Sequence, residues 1–504
     1  MIEIRLNDMS YEQDIRELLM AFYPGEAFAY KAPEEKKLED AREAMFAVEG
    51  IVSEDRKSFS LRIIHYGSAV FHAFRNLPAD IEEEMKHLDE PLAVEYEERF
   101  ETKNKIKRRL YVLLLQQTGK TLPWGALTGI RPVKIALTRL DEGMKEEDIA
   151  RYMKETYYAS DEKIALSIDI AKREKRLLSA IDHQKGYSLY VGIPFCPTTC
   201  LYCSFTSYPI DKWNGRTGLY LDMLFRELDY VAQERQGCSP DTVYLGGGTP
   251  TSLSPEDLDL LLGKLKRTFN FSGVSELTVE AGRPDSITRE KLRVLKKYGV
   301  TRISINPQTM KQETLDLIGR RHTVEDVKEK FIMAREEGFD NINMDLIIGL
   351  PQEEMEDVRA TMEAVKALGP DSLTVHSLAI KRAARLNIMK EAYKDLKITN
   401  TQEMIDLTAR YAKDMGMEPY YLYRQKNMAG NFENVGYALP GKACIYNILI
   451  MEERQTIIGC GAGTTTKRVI PGENRIERCE NVKNVEQYIE RIDEMIERKR
   501  KLLV

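Results

Sequence analysis

The period of the hydrophobic positions changes along the chain, and each change marks a different kind of structure. From about residue 45 to 77, "MFAVEGIVSEDRKSFSLRIIHYGSAVFHAF" alternates apolar and polar residues with turn-formers between, which predicts a small antiparallel sheet. Between 80 and 183 the apolar residues fall at helical spacing within charged stretches such as "EEDIARYMKETYYASDEKIALSIDIAKREKRLLSAI". Residues 1–185 therefore read as one N-terminal α+β domain with a helical second half. Within it, "WGALTGIRPVKIA" carries the Gly-Pro punctuation of a helix boundary and reads as a structural loop.

The middle of the chain changes character. Six short runs appear, separated by amphipathic segments of helix length such as "YLDMLFRELDYVAQERQ" and "REKLRVLKKYG". The runs are "YSLYVGI" at 187, "DTVYLGGG" at 241, "SELTVEA" at 275, "TRISINPQ" at 301, "NINMDLIIGL" at 341 and "DSLTVHSL" at 371. Strands alternating with helices imply right-handed βαβ units and a parallel sheet covered by those helices. Six units fall short of a full eight-fold barrel, so the expected fold class is α/β, with a partial, open (β/α)6 TIM-like barrel over 186–380. In such folds the chemistry collects at the C-terminal ends of the strands. From 381 the alternation stops, and 381–504 reads as a C-terminal α/β domain ending in a charged amphipathic helix, "VEQYIERIDEMIERKRKLL".

Composition narrows the class of protein. Of 504 residues, 43% are hydrophobic and 31% charged, values that suit a soluble chain of two to four domains. A net charge of −6 gives no reason to expect nucleic-acid binding. "MIEIRLNDMSYEQDIRELL" lacks the apolar core of a signal peptide, and no stretch approaches the ~18 apolar residues of a membrane span. Seven cysteines, an odd number without a secretory signal, point to a reducing cytoplasm, where clustered cysteines bind metal or do chemistry.

Three of those cysteines are clustered: "CPTTCLYC" places Cys196, Cys200 and Cys203 in a C-x3-C-x2-C pattern directly after the first barrel strand. A disulfide reading fails on compartment and number. Zinc is possible, although structural zinc sites want four protein ligands and no fourth lies nearby. A [4Fe–4S] cluster held by three thiolates keeps one iron open for a chelating cofactor. Pro194, Pro197, Thr198 and Thr199 suit a loop that wraps such a cluster, with Phe195 and Leu201 to exclude water.

Other polar residues fall at strand ends. "GGGTP" (Gly246 to Pro250) ends the second strand, where bare backbone admits a ligand and free N–H groups suit a carboxylate; equally, it is a tight strand-to-helix turn. Glu280 ends the third strand, Gln308 the fourth, Arg320 lies in "IGRRH" and Asp345 within the fifth. Singly each reads as a strand cap or surface ion pair; together they would converge on one cavity. The isolated Cys238, Cys444, Cys460 and Cys479 read as buried structural thiols. Among the histidines only His376, near the sixth strand's end, could face the cavity, and a core role is as good a reading. Lys381, Arg382, Arg385 and Arg424 could pair with carboxylates, although solvated surface charge is the better reading for any one of them.

The triplet, with Tyr202 just before its third cysteine, resembles the radical S-adenosylmethionine (SAM) superfamily. That resemblance implies a [4Fe–4S] cluster that reductively cleaves SAM to a 5′-deoxyadenosyl radical, which takes a hydrogen atom from substrate. More narrowly, "YVGIPFCPTTCLYCSF", "YLGGGTPTSL", "TVEAGRPD", "RISINPQTM…LIGRRHT" and "NMDLIIGLPQE" resemble the oxygen-independent coproporphyrinogen III oxidases (coproporphyrinogen dehydrogenases), strongly over about 186–380. The long N-terminal domain, "YYLYRQKN…ENVGY" and "GCGAGTTTK" resemble the HemZ-like branch. By the family's pattern, Cys196, Cys200 and Cys203 would hold the cluster, while Tyr190, Gly247, Glu280 and Ala379 would contact one SAM. Tyr202, Gly248, Thr249, Gln308, Arg320 and Asp345 would lie around a second SAM site or the same cavity.

The implied activity is oxidative decarboxylation of two propionates of coproporphyrinogen III to vinyl groups, giving protoporphyrinogen IX in heme biosynthesis. Its implied partners are the tetrapyrrole and a reducing electron donor such as flavodoxin or ferredoxin. One departure stands out: Phe205 occupies the position of a further cysteine present in the family's decarboxylating members. Relatives without that cysteine include a heme-delivery chaperone branch and heme-modifying (methylating or ring-opening) enzymes.

Overall fold

The structure, a computed structural model, describes residues 1–32, 44–67, 72, 74, 77–95, 98–129, 131–181, 186–205, 207–379, 384, 396–425, 432–470, 473 and 475–503. Of the basic residues expected to follow the barrel, Lys381, Arg382 and Arg385 lie outside the described residues. The chain divides into two compact units, Met1–Ala171 with Tyr423–Glu433, and Lys172–Leu422 with Asn434–Val504.

The first unit is built on a five-stranded sheet in the order Phe28–Lys31, Ile2–Leu6, Phe46–Val52, Ser58–His65, Leu92–Ala93. Phe46–Val52 and Ser58–His65 form the antiparallel pair that the alternation predicts. The sheet is mixed rather than wholly antiparallel, because Ile2–Leu6 runs parallel to both its neighbours. Helix Glu12–Phe22 supplies one crossover that a parallel pair requires. Its Ile15, Leu18, Leu19 and Phe22 recur at i, i+3, i+4 and i+7 and join the core with Ile2, Ile4, Phe46 and Val48. Each such burial contributes roughly 1.5–3 kcal/mol.

The helical half follows the predicted periodicity, as Arg99–Thr118, Pro132–Asp141, Glu146–Tyr157 and Asp161–Leu178. Tyr158, at φ +56°, breaks the third of these from the fourth. The "WGALTGIRPVKIA" segment is structural: Pro132 opens a helix, and buried Trp124 donates Nε1–H to Glu433 at 2.8 Å. Arg424 is not surface charge. It is buried in this unit, 5.6 Å over the Trp124 ring, and donates to the Leu127 carbonyl at 2.6 Å.

The second unit carries an eleven-stranded sheet. At its centre the six predicted strands, Tyr187–Ile193, Thr242–Gly247, Glu276–Glu280, Arg302–Ser304, Ile342–Ile348 and Ser372–Ser377, lie side by side and all parallel. This is the partial (β/α)6 barrel. The chain after 381 extends both edges of the same sheet: Asn434–Ala438 pairs antiparallel with Ser372–Ser377, and Thr456–Cys460 parallel with Tyr187–Ile193. The charged terminal segment forms two helices, Val485–Glu490 and Ile492–Leu503, rather than one. No helix among the described residues is long and apolar enough to cross a membrane.

Successive side chains of a strand alternate between faces, and here one face of each barrel strand is apolar and the other polar. Leu189, Val191, Val243, Leu245, Leu277, Val279, Ile303, Met344 and Leu346 form the apolar set, all buried. The alternating partners contact one another instead. Thr242 Oγ1 donates to Ser188 Oγ at 2.8 Å, Tyr190 stacks on Tyr244, Arg302 donates to Ser372 Oγ at 3.3 Å, and Asn343 Nδ2 donates to Asp345 at 2.7 Å. A plug enters the N-terminal end of this polar lumen. The Glu276 carboxylate accepts the Cys444 thiol at 3.2 Å and the Ile445 amide at 2.8 Å, capping helix Ile445–Glu452.

Candidate active site

The cysteine loop follows the first strand and is framed by a two-residue pairing of Phe195–Cys196 with Tyr208–Pro209. Two bonds dock it on the segment after the fourth strand: Leu201 N–H donates to the Ile318 carbonyl at 2.9 Å, and Thr198 Oγ1 to that of Gly319 at 2.9 Å. Leu201 packs with Ile318, Ile347, Leu350 and Leu378, and Tyr202 lies against that cluster. None of the seven cysteines is in a disulfide. Cys200 is buried, while Cys196 and Cys203 are half-buried.

Two guanidiniums serve this loop. Arg283, just beyond the third strand, donates to Cys200 Sγ at 3.5 Å, to Thr198 O at 3.2 Å and to Thr198 Oγ1 at 3.0 Å. Asp285 orients it at 2.7 Å. Arg320 is raised by the electrostatics of Tyr202 and Cys200 despite its burial. Its Nη1 is taken by the Asn306 and Pro307 carbonyls and its Nε has no partner, so it braces strand ends beside Cys200. Burial pushes the Cys196 thiol up to about 11, with Thr249 Oγ1 at 3.5 Å. Among the described residues no three Cys, His, Asp or Glu side chains are closed into a metal-binding geometry. The donor set itself, three thiols on one loop with two cations beside Cys200, suits an anionic metal–thiolate cluster.

The glycines of "GGGTP" have a steric reason. A Cβ on Gly248 would lie 2.5 Å from the Phe195 carbonyl oxygen, and Gly247 adopts φ +110°. Their amides are not free for a ligand's carboxylate, as the sequence suggested. Gly248 N–H donates to Ile193 O, Thr249 N–H to Phe195 O, each at 2.7 Å, and Gly247 N–H to Glu280. Glu280 also accepts Tyr244 Oη at 2.6 Å, yet burial pushes its carboxyl up to about 7. Tyr190 stacks 6.0 Å from both Tyr244 and Tyr446, which lie 4.5 Å from each other.

A cavity of about 320 Å³ opens here, within the range of small-ligand sites. Tyr190, Gly192, Phe205 and Gly247 line it together with residues 462–465, Glu480, Asn481 and Lys483. A second group gathers near the cysteine loop's other flank. Gln308, at φ +69°, donates its N–H to Asp345 O at 2.9 Å, and its buried Oε1 has no partner. Burial would raise the Asp345 carboxyl, but His376, 3.9 Å away, and Asn343 hold it below the usual range. Ala379 follows Leu378, whose N–H donates to the Ile348 carbonyl at the fifth strand's end.

Thus Tyr190, Gly247 and Glu280 form one neighbourhood, and Tyr202, Gln308, Arg320 and Asp345 another, with Thr249 against Cys196. Sequence reasoning missed Arg283, Tyr244, Tyr446 and the 462–465 wall. Arg283 had a signal, a cation three residues past a strand end; Tyr446 had none, since its contacts are made by distant segments. Of the isolated cysteines, Cys444 and Cys460 are buried as expected and Cys479 half-buried, but Cys238 is exposed.

Comparison with known proteins shows the family and the fold. Residues 190–365 match the radical SAM superfamily. The chain is 43% identical over 427 residues to the oxygen-independent coproporphyrinogen-III oxidase-like protein HemZ of Bacillus subtilis (strain 168), covering 84% of this chain and 85% of that protein. It is 32% identical over 307 residues to the heme chaperone HemW of the same organism, covering 58% of this chain and 75% of that protein. The structure of Escherichia coli coproporphyrinogen III oxidase (HemN), a radical SAM enzyme, shares the fold at TM-score 0.51 and 24% identity, over 64% of this chain and 73% of that one. The superfamily's [4Fe–4S] cluster and SAM are the cofactors of such a chain. By fold, site and sequence, the chain belongs to the radical SAM superfamily, in the family of oxygen-independent coproporphyrinogen III oxidase-like proteins.

Proposed function

We propose that the protein is a cytoplasmic radical SAM enzyme that oxidatively decarboxylates propionate side chains of a porphyrinogen, with coproporphyrinogen III as substrate and protoporphyrinogen IX as product. The observation that carries this reading is the cavity joining Tyr190 and Gly247 to the 462–465 wall beside the cysteine loop. Cys196, Cys200 and Cys203 would hold the cluster. When bound, it supplies one-electron reduction of SAM and so a hydrogen-abstracting radical. Arg283 and Arg320 offset the negative charge of the thiolates. The Leu201, Ile318, Leu350 and Leu378 cluster keeps water from that flank. Glu280, once ionised, suits the ammonium group of SAM. Each propionate would lose one hydrogen atom and CO2, and an external acceptor would take the remaining electron. A small reducing protein such as flavodoxin or ferredoxin would charge the cluster.

A second reading, heme binding and delivery, is favoured by Phe205. This ring is 70% exposed at the cavity, where a decarboxylating relative has cysteine. Anaerobic reconstitution with SAM, reductant and coproporphyrinogen III, followed by mass spectrometry, separates the two. Two successive losses of CO2 are expected. SAM cleavage with no such loss, together with a stable heme Soret band in the purified protein, would replace the first reading with the second.

A further inference from the structure

The cavity wall formed by residues 462–465 is anchored from below by groups that do not touch the cavity. Gly461 turns the chain there at φ +107°, and a Cβ on it would meet the Gly192 carbonyl oxygen at 2.4 Å. Two backbone bonds brace the wall against its neighbour, Gly463 N–H to Val482 O and Asn481 N–H to Thr464 O, each 2.9 Å. The remaining support converges on one carboxylate. Glu227 Oε2 accepts the Gly461 N–H at 2.7 Å and Tyr488 Oη at 2.5 Å. Its Oε1 accepts Asn481 Nδ2 at 2.8 Å and Lys499 Nζ at 2.5 Å.

Lys499 also donates to Asn481 Oδ1 at 2.9 Å. Asn481 lines the cavity and in turn donates to the Gly461 carbonyl at 2.9 Å and to Thr464 Oγ1 at 3.2 Å. Glu227 is 0% exposed and Lys499 1%. The adjoining strand end is held by the same helix, Thr217–Glu234: Tyr220 Oη donates to the Gly192 carbonyl at 2.6 Å and accepts the Ala462 N–H at 3.1 Å.

An ion pair this deeply buried is a poor source of stability, because desolvation cancels most of its attraction. What it does supply is geometry: four bonds on one carboxylate fix Gly461 and Asn481 relative to the helix. We propose that Lys499 and Tyr488, through Glu227, are positioning residues that set the shape of the cavity for SAM, so that the C-terminal helical segment governs SAM affinity without touching SAM. This rests on the reading of the cavity as the SAM site.

The test uses the reconstituted full-length protein and measures SAM dissociation constants by equilibrium dialysis, with iron content and thermal midpoint as controls. Lys499→Met should weaken SAM binding about tenfold or more, and the milder Tyr488→Phe about threefold, with iron content unchanged. Lys499→Arg, which keeps the charge and donors, should restore most of the affinity. The change that SAM induces in the reduced cluster's EPR spectrum should shrink in the same order. Should Lys499→Met fail to fold, Tyr488→Phe decides alone. Affinity within twofold of wild type, or a loss that merely follows lost iron, would overturn the proposal. Failure of the wild type itself to bind SAM would instead sink the cavity assignment on which it rests.

Discussion

Glu3 in the first unit and Arg302 in the barrel lumen are both almost wholly buried strand residues, and their surroundings differ. Glu3 is surrounded by donors: Arg5 at 2.8 Å, Lys31 at 2.7 Å and Tyr66 at 2.5 Å. Around Arg302 the accounts stay open. Its own Nε and the neighbouring Thr278 Oγ1 and Ser304 Oγ are buried with no partner. Burial alone would raise the Glu3 carboxyl, yet its donors hold it down at about 2. A completed polar network is structural and fixes a fold; polar groups left open in a lumen mark where something else is received. Proteins tolerate such openings chiefly at functional sites.

That contrast can be broken by experiment. The largest effect belongs to the open side: Cys200→Ser should reduce iron in the reconstituted protein to background and abolish SAM cleavage, while far-UV circular dichroism stays native. Retained iron would remove the cysteine loop from the site. Next comes the closed side. Because the folded carboxyl of Glu3 is depressed, its stabilisation is present above pH 4.5 and is lost as pH falls toward 2. Glu3→Gln should therefore destabilise the first unit by about 3 kcal/mol at pH 7 and flatten its acid unfolding curve, read by urea titration.

A smaller effect is expected at Glu280. Its carboxyl is raised to about 7, so it ionises as pH rises through neutrality. SAM binding should strengthen about fivefold between pH 6 and 7, below the range in which the SAM ammonium loses its own proton, and Glu280→Gln should remove that dependence in dialysis at the two pH values. The smallest effect is the most telling for the comparison. Ser304→Ala removes a group that already lacks a partner, so the stability change should stay within about 0.5 kcal/mol. Tyr66→Phe, which takes a donor from Glu3, should cost about 1–2 kcal/mol. Equal costs would erase the distinction.

The barrel was legible in the sequence because each of its six strands is short, bounded and followed by a helix-length amphipathic segment. The cysteine triplet was legible because its spacing is local. Ile2–Leu6 escaped because Glu3 and Arg5 look like solvent positions in a strand whose five residues are in fact all buried. For a related reason the sequence could not choose between the two readings of "GGGTP", ligand cradle or tight turn: whether an N–H is free depends on what lies opposite, here Ile193 and Phe195 of another strand's end. Arg424 illustrates the same limit, since its partner Trp124 is 300 residues away in sequence. Long-range partners leave no periodic trace.

The site's halves are also far apart in time. Roughly 300 residues lie between Cys200 and Lys499, which braces the cavity-lining Asn481. At about 5–20 residues per second, a ribosome needs roughly a quarter of a minute to a minute to cover that distance. Throughout that interval the emerging thiols have their barrel strand but not their cavity. On the proposed reading of the cavity as the cofactor site, stable cofactor loading belongs after synthesis of this segment, and oxygen or stray metal reaching the nascent chain would meet a cysteine loop with one side still open.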